Sequence, residues 1–428
     1  MRYGSGALWR RLAATTMVVA LALPAVGAVH AARPSAGTTL KLWNDKPTWA
    51  AYFNPEGQSS LKAIGVGFKA VPYADTTTYQ AAVRTAGRTA KAPDLFTWWS
   101  GYQMVDIVNA SLAADLSPLW DKNKSAYSPG LRSAFTFGGK TYGAPLNLAY
   151  WEVIYNKHVF ATYHLAPPTT WAQFQAINKT LRTHGVTPLA ATIDGRWPSF
   201  IYFEEYLVRS DPKAYLNLMA GKIKYTNPAV VKAMNMWGAM IKEGDFTDPG
   251  AVKFGTSGSN NLLGLFSQSK VGMLEIGSWY EPTLTGAGLK PGVDYGAFIM
   301  PNINPALPKN VIFETGPLVV SARGQNRDKA LKAADYFMSK AGQQAWANAT
   351  GFIPARNDVK ATNSLDQQMV STVSAGYNLI PRYWEATPFD IVNVAIDQFA
   401  KFMLHPGDPA PILSTIQSQA DRSWASQH

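Results

Sequence analysis

The residues with the clearest chemical potential in this chain are tryptophans that lie near predicted turns or strand ends. The sequence contains fourteen tryptophans. Loops rarely leave such large apolar rings in water without a partner. A sugar ring can be that partner, because its axial C–H groups form an apolar face that stacks on an indole. The eight tryptophans in such positions are Trp43, Trp49, Trp98, Trp99, Trp151, Trp197, Trp279 and Trp384.

Two of these tryptophans are adjacent, in the stretch APDLFTWWSG. Neighbouring residues on a strand point to opposite faces of the sheet, so both rings can face one space only if the strand ends before them. The pattern therefore predicts a loop lined with flat apolar surface, of the kind that rigid scaffolds use for binding. We expect Trp98 to be a sugar platform and Trp99 to be either a second platform or a support for the loop.

Polar side chains occur close to these aromatic residues in the sequence. Sugar hydroxyls need such partners, because a buried unpaired polar group costs about 1–3 kcal/mol. Each candidate could equally be a solvated or capping residue. The candidates are Asn44, Asp45, Lys46, Asn147, Glu152, Arg196, Glu314 and Arg356.

No catalytic motif or metal site is predicted. A G-x-S-x-G elbow is absent, and the six histidines show no H-x-x-x-H spacing. Glu204 and Glu205 are adjacent, so on a helix they diverge by about 100° and make a poor acid/base pair. We therefore expect a binding protein with no catalytic residue and no cofactor. A secreted carbohydrate-active enzyme that uses distant carboxylates remains the alternative.

The N-terminal segment has the features of a secretory signal peptide. A basic start precedes an apolar run, and Val29-His30-Ala31 places small residues at the positions that define cleavage. We expect a signal peptide over 1–31 and a flexible leader over 32–37. The chain has no cysteine, so no lipid-modified cysteine can follow the signal. These features predict a periplasmic, extracellular or cell-surface protein that is not lipid-anchored through cysteine.

The charge pattern excludes one class of partner. The formal net charge is +11, yet no run of five basic residues occurs. Nucleic-acid binding needs a concentrated basic face, so no nucleic-acid partner is expected. The basicity still allows an anionic or phosphorylated ligand as a second alternative.

The elements that must position these residues have an α/β pattern. Strand candidates TTLKLW, GFKAVPYA and PDLF alternate with helical segments, which favours a largely parallel sheet. GPLVVSA is a further buried strand candidate. Ligands bind beyond the carboxyl ends of parallel strands. WNDK and TWWSG both follow strand ends, so we expect them to lie on the same side.

Two helices are predicted from capping and periodicity. Thr170 and Gln173 form a capping box ahead of a helix that Gly185 stops. A second helix, NRDKALKAADYFMSKAGQQAWANATG, carries an apolar stripe and ends at Gly351. Trp171, Trp237 and Trp346 fall inside helical patterns and are expected in the core.

Five segments in order resemble the extracellular solute-binding proteins of bacterial ATP-driven sugar importers. The segments are PDLFTWWSG, GGKTYGAPLNLAYWEVIYNKHVFATYHLAPPTTWAQF, LLGLFSQSKVGMLEIGSWYEP, TGPLVVSARGQNRDKALKAADYFMS and GFIPARND. The resemblance covers most of the mature chain. Where maltose-binding members have an Asp-Arg pair and an acidic residue, this chain has Gly101-Tyr102 and Ala149, so the exact sugar stays open.

The resemblance implies an α/β, two-lobe periplasmic-binding-protein-like (type II) fold with hinge crossovers. Lobe 1 would comprise 38–148 and 314–353, and lobe 2 would comprise 149–313 and 354–428. A sugar, of two or more units, would bind between the lobes and be delivered to the permease subunits of an ABC transporter. We expect a monomer.

The resemblance also assigns roles to individual residues. Asp45 and Lys46 would bond sugar hydroxyls, while Trp98 and Trp279 would stack on sugar rings. Other aromatic residues would come from Trp197 and from Tyr383 or Trp384. The full predicted site consists of Trp43, Asn44, Asp45, Lys46, Trp98, Trp99, Asn147, Trp151, Trp197, Trp279, Glu314, Arg356, Tyr383 and Trp384.

Overall fold

The computed structural model describes residues 37–255 and 259–425. The predicted signal peptide, and the predicted leader except Gly37, lie outside these residues. Within them, no helix combines the length and apolar character that crossing a bilayer requires.

Thirteen strands occur in the described part of the chain. The predicted strands TTLKLW, GFKAVPYA, PDLF and GPLVVSA are confirmed as β1, β2, β3 and β12. The strands are β1 (Thr38–Asn44), β2 (Val66–Pro72), β3 (Leu95–Thr97), β4 (Thr136–Phe137), β5 (Lys140–Thr141), β6 (Ala144–Pro145), β7 (Ala149–Asn156), β8 (Thr187–Leu189), β9 (Val271–Gly277), β10 (Tyr295–Phe298), β11 (Asn310–Glu314), β12 (Pro317–Val320) and β13 (Asn378–Pro381).

The helices lie between and around these strands, together with short 3-10 helices at Pro47–Trp49, Trp197–Phe200 and Ser278–Tyr280. The α-helices are α1 (Ala50–Ile64), α2 (Thr76–Ala86), α3 (Tyr102–Asn109), α4 (Ser117–Lys122), α5 (Pro129–Ser133), α6 (Lys157–Thr162), α7 (Trp171–Thr183), α8 (Ile201–Ser210), α9 (Pro212–Met219), α10 (Pro228–Lys242), α11 (Leu262–Ser267), α12 (Glu281–Gly286), α13 (Arg327–Met338), α14 (Lys340–Thr350), α15 (Ser364–Ser374), α16 (Tyr383–Ala386), α17 (Phe389–Leu404) and α18 (Ala410–Ala425).

Two main sheets form the framework. The first sheet has the order β2-β1-β3-β12-β6, and the second has the order β13-β11-β7-β9-β8 with β10 also paired to β7. Only part of each sheet is parallel: β1 runs parallel to β2 and β3, whereas β12 runs antiparallel to β3. In the second sheet β7 is antiparallel to β9, β10 and β11. The α/β class is confirmed, but the expectation of a largely parallel sheet is wrong.

The sheets are mixed because the chain passes between them. It leaves the first sheet after β6 and enters the second at β7, and it returns between β11 and β12. Near these passages, Leu148 forms an isolated antiparallel bridge with Ile353. We refer to the elements around the first sheet as the first lobe and to those around the second as the second lobe. The exact residue bounds of the lobes stay a prediction.

The helix predictions are confirmed at their ends and wrong at one interior position. The capping box of Thr170 and Gln173 is present, and α7 buries Phe174 and Leu181. The predicted helix that ends at Gly351 is two helices, because Ser339 has an extended backbone and caps α14 by accepting a hydrogen bond from Gly342 N. A serine hydroxyl competes for backbone donors in this way, which favours a cap over a helix interior.

Each sheet has its own hydrophobic core. Trp346 and Trp120 pack in the core of the first sheet, while Trp171 and Trp237 pack in the core of the second. The expected burial of Trp171, Trp237 and Trp346 is therefore confirmed.

Candidate functional site

The first part of the site lies where β1 ends. The Asp45 carboxylate pairs with Lys46 Nζ at 3.0 Å and accepts a hydrogen bond from Thr76 Oγ1 at 2.9 Å. Lys46 Nζ also lies 5.1 Å from the ring centre of Trp49 and 5.5 Å from that of Trp99. These contacts join the loop after β1 to the loop after β3. The expected proximity of the two loops is confirmed.

The adjacent tryptophans after β3 have different environments. Trp98 is 4% exposed, and its indole N–H donates to Gln103 O at 2.6 Å. Its ring packs against Tyr79 at 5.9 Å between centroids. Trp99 is half-buried and meets Trp98 edge-on, with the centroids 5.2 Å apart. Of the two indoles, Trp99 has the ring surface that a ligand can reach.

A second aromatic group lies where β9 ends. The rings of Trp197 and Trp279 are 5.9 Å apart, and those of Trp151 and Trp197 are 6.2 Å apart. Trp197 and Trp279 are half-buried, whereas Trp151 is fully buried. The indole N–H groups of Trp151 and Trp279 are buried without a hydrogen-bond partner in the protein. Unpaired buried donors are costly unless another molecule satisfies them.

Arg382 lies at the centre of this second group. Its guanidinium is 4.6 Å from the ring centre of Trp151, 5.0 Å from Trp197 and 4.9 Å from Phe200. It pairs with Glu314, the last residue of β11. The cation–π contacts and this ion pair fix the guanidinium in place, and through it the orientation of the indoles.

The two lobes touch where the loop after β3 and the start of α3 meet α16 and α18. A β-carbon on Gly101, which follows Trp99 and Ser100, would overlap the main-chain carbonyl of Glu385 in α16. One residue further along the chain, the Tyr102 ring packs edge-on against Trp424 of α18 at 5.8 Å. The site residues after β3 are therefore adjacent to the segment that carries Arg382 and Trp384.

The remaining predicted residues have varied positions. Trp43 is half-buried against Tyr73 at 5.2 Å. Asn44 is buried, its Oδ1 accepts from Lys46 N at 3.0 Å, and its Nδ2 has no partner in the protein. Asn147 lies in the passage between the sheets, where its main-chain carbonyl accepts from Thr315 Oγ1 at 2.8 Å.

Arg356, Tyr383 and Trp384 differ in what they offer a ligand. The Arg356 guanidinium pairs with Asp358 at 2.8 Å and lies 5.5 Å from the ring centre of Tyr127, which places it in the first lobe's helical layer. Tyr383 is fully buried, and its hydroxyl bonds that of Tyr225 at 2.5 Å. Trp384 is half-buried. Of the predicted pair, Trp384 has the accessible ring.

Sequence reasoning missed Arg382, Phe200 and Glu385. Each lies within three residues of a tryptophan of the predicted site, in the stretches RWPSF and PRYWE. The signal that could have found Arg382 is its position directly before two aromatic residues, since guanidinium groups stack on aromatic faces. Which rings it would contact depends on folding that brings α8 and α16 together.

The described residues contain no group of three or more His, Cys, Asp or Glu side chains placed to hold a metal ion. Glu204 and Glu205 are fully buried in the second lobe. Glu205 pairs there with Arg209 at 2.7 Å, and Glu204 accepts from Tyr383 N at 2.8 Å. Both carboxyls are thus bonded inside the core.

Comparison with known proteins agrees with this architecture. A family model described as "bacterial extracellular solute-binding protein" matches residues 49–369. The chain belongs to this family. The solute-binding protein is 24% identical over 321 residues to an "uncharacterized ABC transporter extracellular-binding protein" of Pyrococcus horikoshii, which covers 71% of this chain and 70% of that one.

Solved structures share the two-lobe fold of this solute-binding protein. One is the bacterial solute receptor AcbH, reported to prefer β-D-galactopyranose, with a TM-score of 0.78 and 20% identity over 92% of this chain and all of that one. Another is a chitin oligosaccharide binding protein, with a TM-score of 0.77 and 19% identity over 91% and 99% of the two chains. The resemblance to an extracellular solute-binding family is thereby confirmed.

Proposed function

We propose that this protein is the extracytoplasmic substrate-binding component of an ABC sugar importer. A sugar binds between the lobes, the lobes close on it by hinge motion, and the closed form delivers it to the membrane permease subunits. The protein acts as a monomer, without a nucleic-acid partner, and leaves the sugar chemically unchanged. Its place of action is the periplasm or the cell surface.

The observation that carries this proposal is the chain of contacts between two sets of accessible indoles. Trp279 contacts Trp197, Trp197 contacts Arg382, and Arg382 lies 3.8 Å from Glu385, whose main chain meets Gly101. Gly101 is two residues from Trp99. This chain of contacts supports a binding region between the lobes that is lined by half-buried rings from both, which would suit the apolar faces of sugar rings.

The charges at the site favour an uncharged ligand. Lys46 is paired with Asp45, and Arg382 is paired with Glu314. A phosphorylated or otherwise anionic solute would need a cation that is free to pair with it. The buried donors without a partner in the protein include neutral ones, the indole N–H of Trp279 and the amide of Asn44, which suit hydroxyl oxygens.

The solved structures named above support a saccharide in particular. AcbH is reported to prefer β-D-galactopyranose, and the other protein is named for binding a chitin oligosaccharide. The half-buried rings of Trp99, Trp279 and Trp384 offer several stacking surfaces, which favours a ligand of two or more sugar units. The site we propose centres on Trp99, Trp197, Trp279 and Trp384, with Asp45, Lys46 and Asn44 at its polar edge. Trp98, Trp151 and Tyr383 support the rings from behind.

Closure on the sugar follows from differential affinity. A ligand that contacts both lobes binds the closed form better and shifts the equilibrium toward it. Moving the protein from about 1% to 99% closed requires roughly 5.5 kcal/mol of such preference. Ring contacts of about 0.5–1.5 kcal/mol each, together with hydrogen bonds of about 1 kcal/mol, can supply this amount.

Titration of intrinsic tryptophan fluorescence tests the proposal. The panel consists of galactose, maltose, maltotriose, cellobiose, chitobiose and xylobiose, with glucose 1-phosphate and inorganic phosphate as anions. We expect saturable binding of at least one neutral sugar and no response to the anions. Chromatography of the same mixtures after a day should show intact sugar. Binding of the anions alone, or cleavage of an oligosaccharide, would refute the proposal.

A further inference from the structure

Glu385 lies at the contact between the two lobes. It belongs to α16 in the second lobe, and a β-carbon on Gly101 of the first lobe would overlap its main-chain carbonyl and lie 3.1 Å from its Cβ. Glu385 is only 6% exposed. The loop after β3 packs on the main chain and Cβ of Glu385, so separation of the lobes would remove this cover from the residue.

The carboxyl of Glu385 is poorly compensated in this position. Its Oε1 lies 3.8 Å from Arg382 Nη1, which is beyond hydrogen-bond distance, and its Oε2 has no hydrogen-bond partner in the protein. The closer carboxyl partner of Arg382 is Glu314 on β11. The guanidinium thus interacts with three carboxyl groups, those of Glu314, Glu385 and Glu204, and Glu314 takes its direct hydrogen bond.

Other titratable groups also face this cluster. Glu204 on α8 and Tyr215 on α9 interact electrostatically with Glu385, and burial raises the pKa of both above their usual values. Tyr215 donates to Pro381 O at 2.9 Å and to Glu204 Oε2 at 3.2 Å, so both groups are bonded inside the second lobe. On α3, burial raises the pKa of Tyr102 above 10, which is outside the physiological range.

In the described conformation, in which Gly101 packs on Glu385, this side chain is a neutral acid at pH 7. Burial raises the pKa of this carboxyl to about 8, although Arg382 acts in the opposite direction. A glutamate exposed to water has a pKa of about 4.3. Opening that hydrates Glu385 would release its proton at neutral pH, and closure would take the proton up.

We propose that closure of the lobes is coupled to protonation of Glu385, which makes capture of the ligand stronger in acidic medium. The proposal rests on the hinge closure in the proposed function. It adds that pH regulates this closure through Glu385. The stabilisation of the closed form is complete below the pKa of the open form. It decreases as pH rises through neutrality and is lost near pH 8. In that range the closing constant should change by up to about tenfold per pH unit for one proton.

The test follows the closed fraction of the empty protein, so it needs no identified ligand. The chain has no cysteine, so N109C and S418C accept a pair of fluorescent dyes at defined exposed positions on α3 and α18. Single-molecule energy transfer between the dyes reports the distance between the lobes from pH 5 to pH 9. We expect the closed fraction to decrease as pH rises to 8 and to level off above it.

E385Q is the matched variant, because glutamine copies the shape of the protonated acid and cannot ionise. We expect its closed fraction to be independent of pH, and near-ultraviolet circular dichroism should show native packing. A wild-type closed fraction that is constant from pH 5 to pH 9, or an E385Q variant that opens in parallel with the wild type, overturns the proposal.

The outcome is separable from the proposed function. If a neutral sugar binds but closure is independent of pH, the function stands and this inference fails. If closure depends on pH through Glu385 but no sugar binds, the inference stands and the ligand class is wrong.

Discussion

The Arg382 guanidinium lies 4.6 Å from the ring centre of Trp151 and forms an ion pair with Glu314, so one cation joins the aromatic group to the last residue of β11. Its side chain is 8% exposed. A buried charge that loses its partner is left uncompensated, and such losses cost several kcal/mol. Arg382 therefore stabilises both the passage between the sheets and the position of the indoles.

We expect R382M to lower the free energy of unfolding by about 3 kcal/mol, because it leaves Glu314 unpaired and removes the cation–π contacts. Urea unfolding followed by circular dichroism measures the change. The matched control is R196M. The side chains of Arg196 and its ion-pair partner Asp397 are each about half exposed, so this substitution should change the free energy of unfolding by about 0–1 kcal/mol. Equal effects of the two substitutions would contradict this role.

Gly101 is expected to control closure through its lack of a side chain. In G101A the added methyl group meets the Glu385 carbonyl, and the backbone keeps a φ of +62° that disfavours alanine. We expect a more open empty protein, seen as a larger radius of gyration in small-angle X-ray scattering. A side chain at positive φ also costs about 1–2 kcal/mol of stability.

The control for G101A separates strain from collision. Gly138 has a similar φ of +55° in the turn between β4 and β5, but a β-carbon there meets no atom within 4 Å. G138A should therefore lose comparable stability and keep the wild-type radius of gyration. If G138A opens the protein as much as G101A does, contact with Glu385 is not what closes the lobes.

Trp98 and Trp99 should respond differently to truncation. W99A removes a half-buried ring and should weaken binding of the best sugar in the panel at least tenfold, about 1.4 kcal/mol, with little loss of stability. W98A removes a ring that is 4% exposed and should lower the free energy of unfolding by about 3–5 kcal/mol. Unchanged sugar affinity in W99A would count against the proposed stacking surface.

Local patterns in the sequence predicted much of the framework. Thr170 and Gln173 define the start of α7, and the loops after β1 and β3 could be placed together because carboxyl ends of parallel strands share an edge. The break at Ser339 was missed, because an apolar stripe continues across it and hides the cap.

The internal contacts of the site could not be predicted, because they depend on which elements meet in space. The adjacent Trp98 and Trp99 look alike in sequence, yet Trp98 is buried against Tyr79 and Trp99 is half-buried. Arg382 reaches three rings that come from β7 and the segment before α8. No periodicity along the chain encodes such long-range contacts.

Glu56 has a carboxyl group buried inside the first lobe. Glu56 is 2% exposed in α1, its Oε1 has no hydrogen-bond partner in the protein, and burial raises its pKa to about 8. In the unfolded chain its pKa returns to about 4.3. The stabilising effect of this raised pKa is complete below about pH 4.3 and is lost as pH rises through 8. In that window the uptake of one proton by Glu56 makes the free energy of unfolding fall by about 1.4 kcal/mol for each unit that the pH rises.

E56Q should remove this part of the dependence of the free energy of unfolding on pH, when urea unfolding is measured at pH 5, 6, 7 and 8. The control E243Q replaces a carboxylate that is 58% exposed and should retain the wild-type slope. A slope in E56Q equal to that of the wild type would show that Glu56 is hydrated or paired in the folded protein.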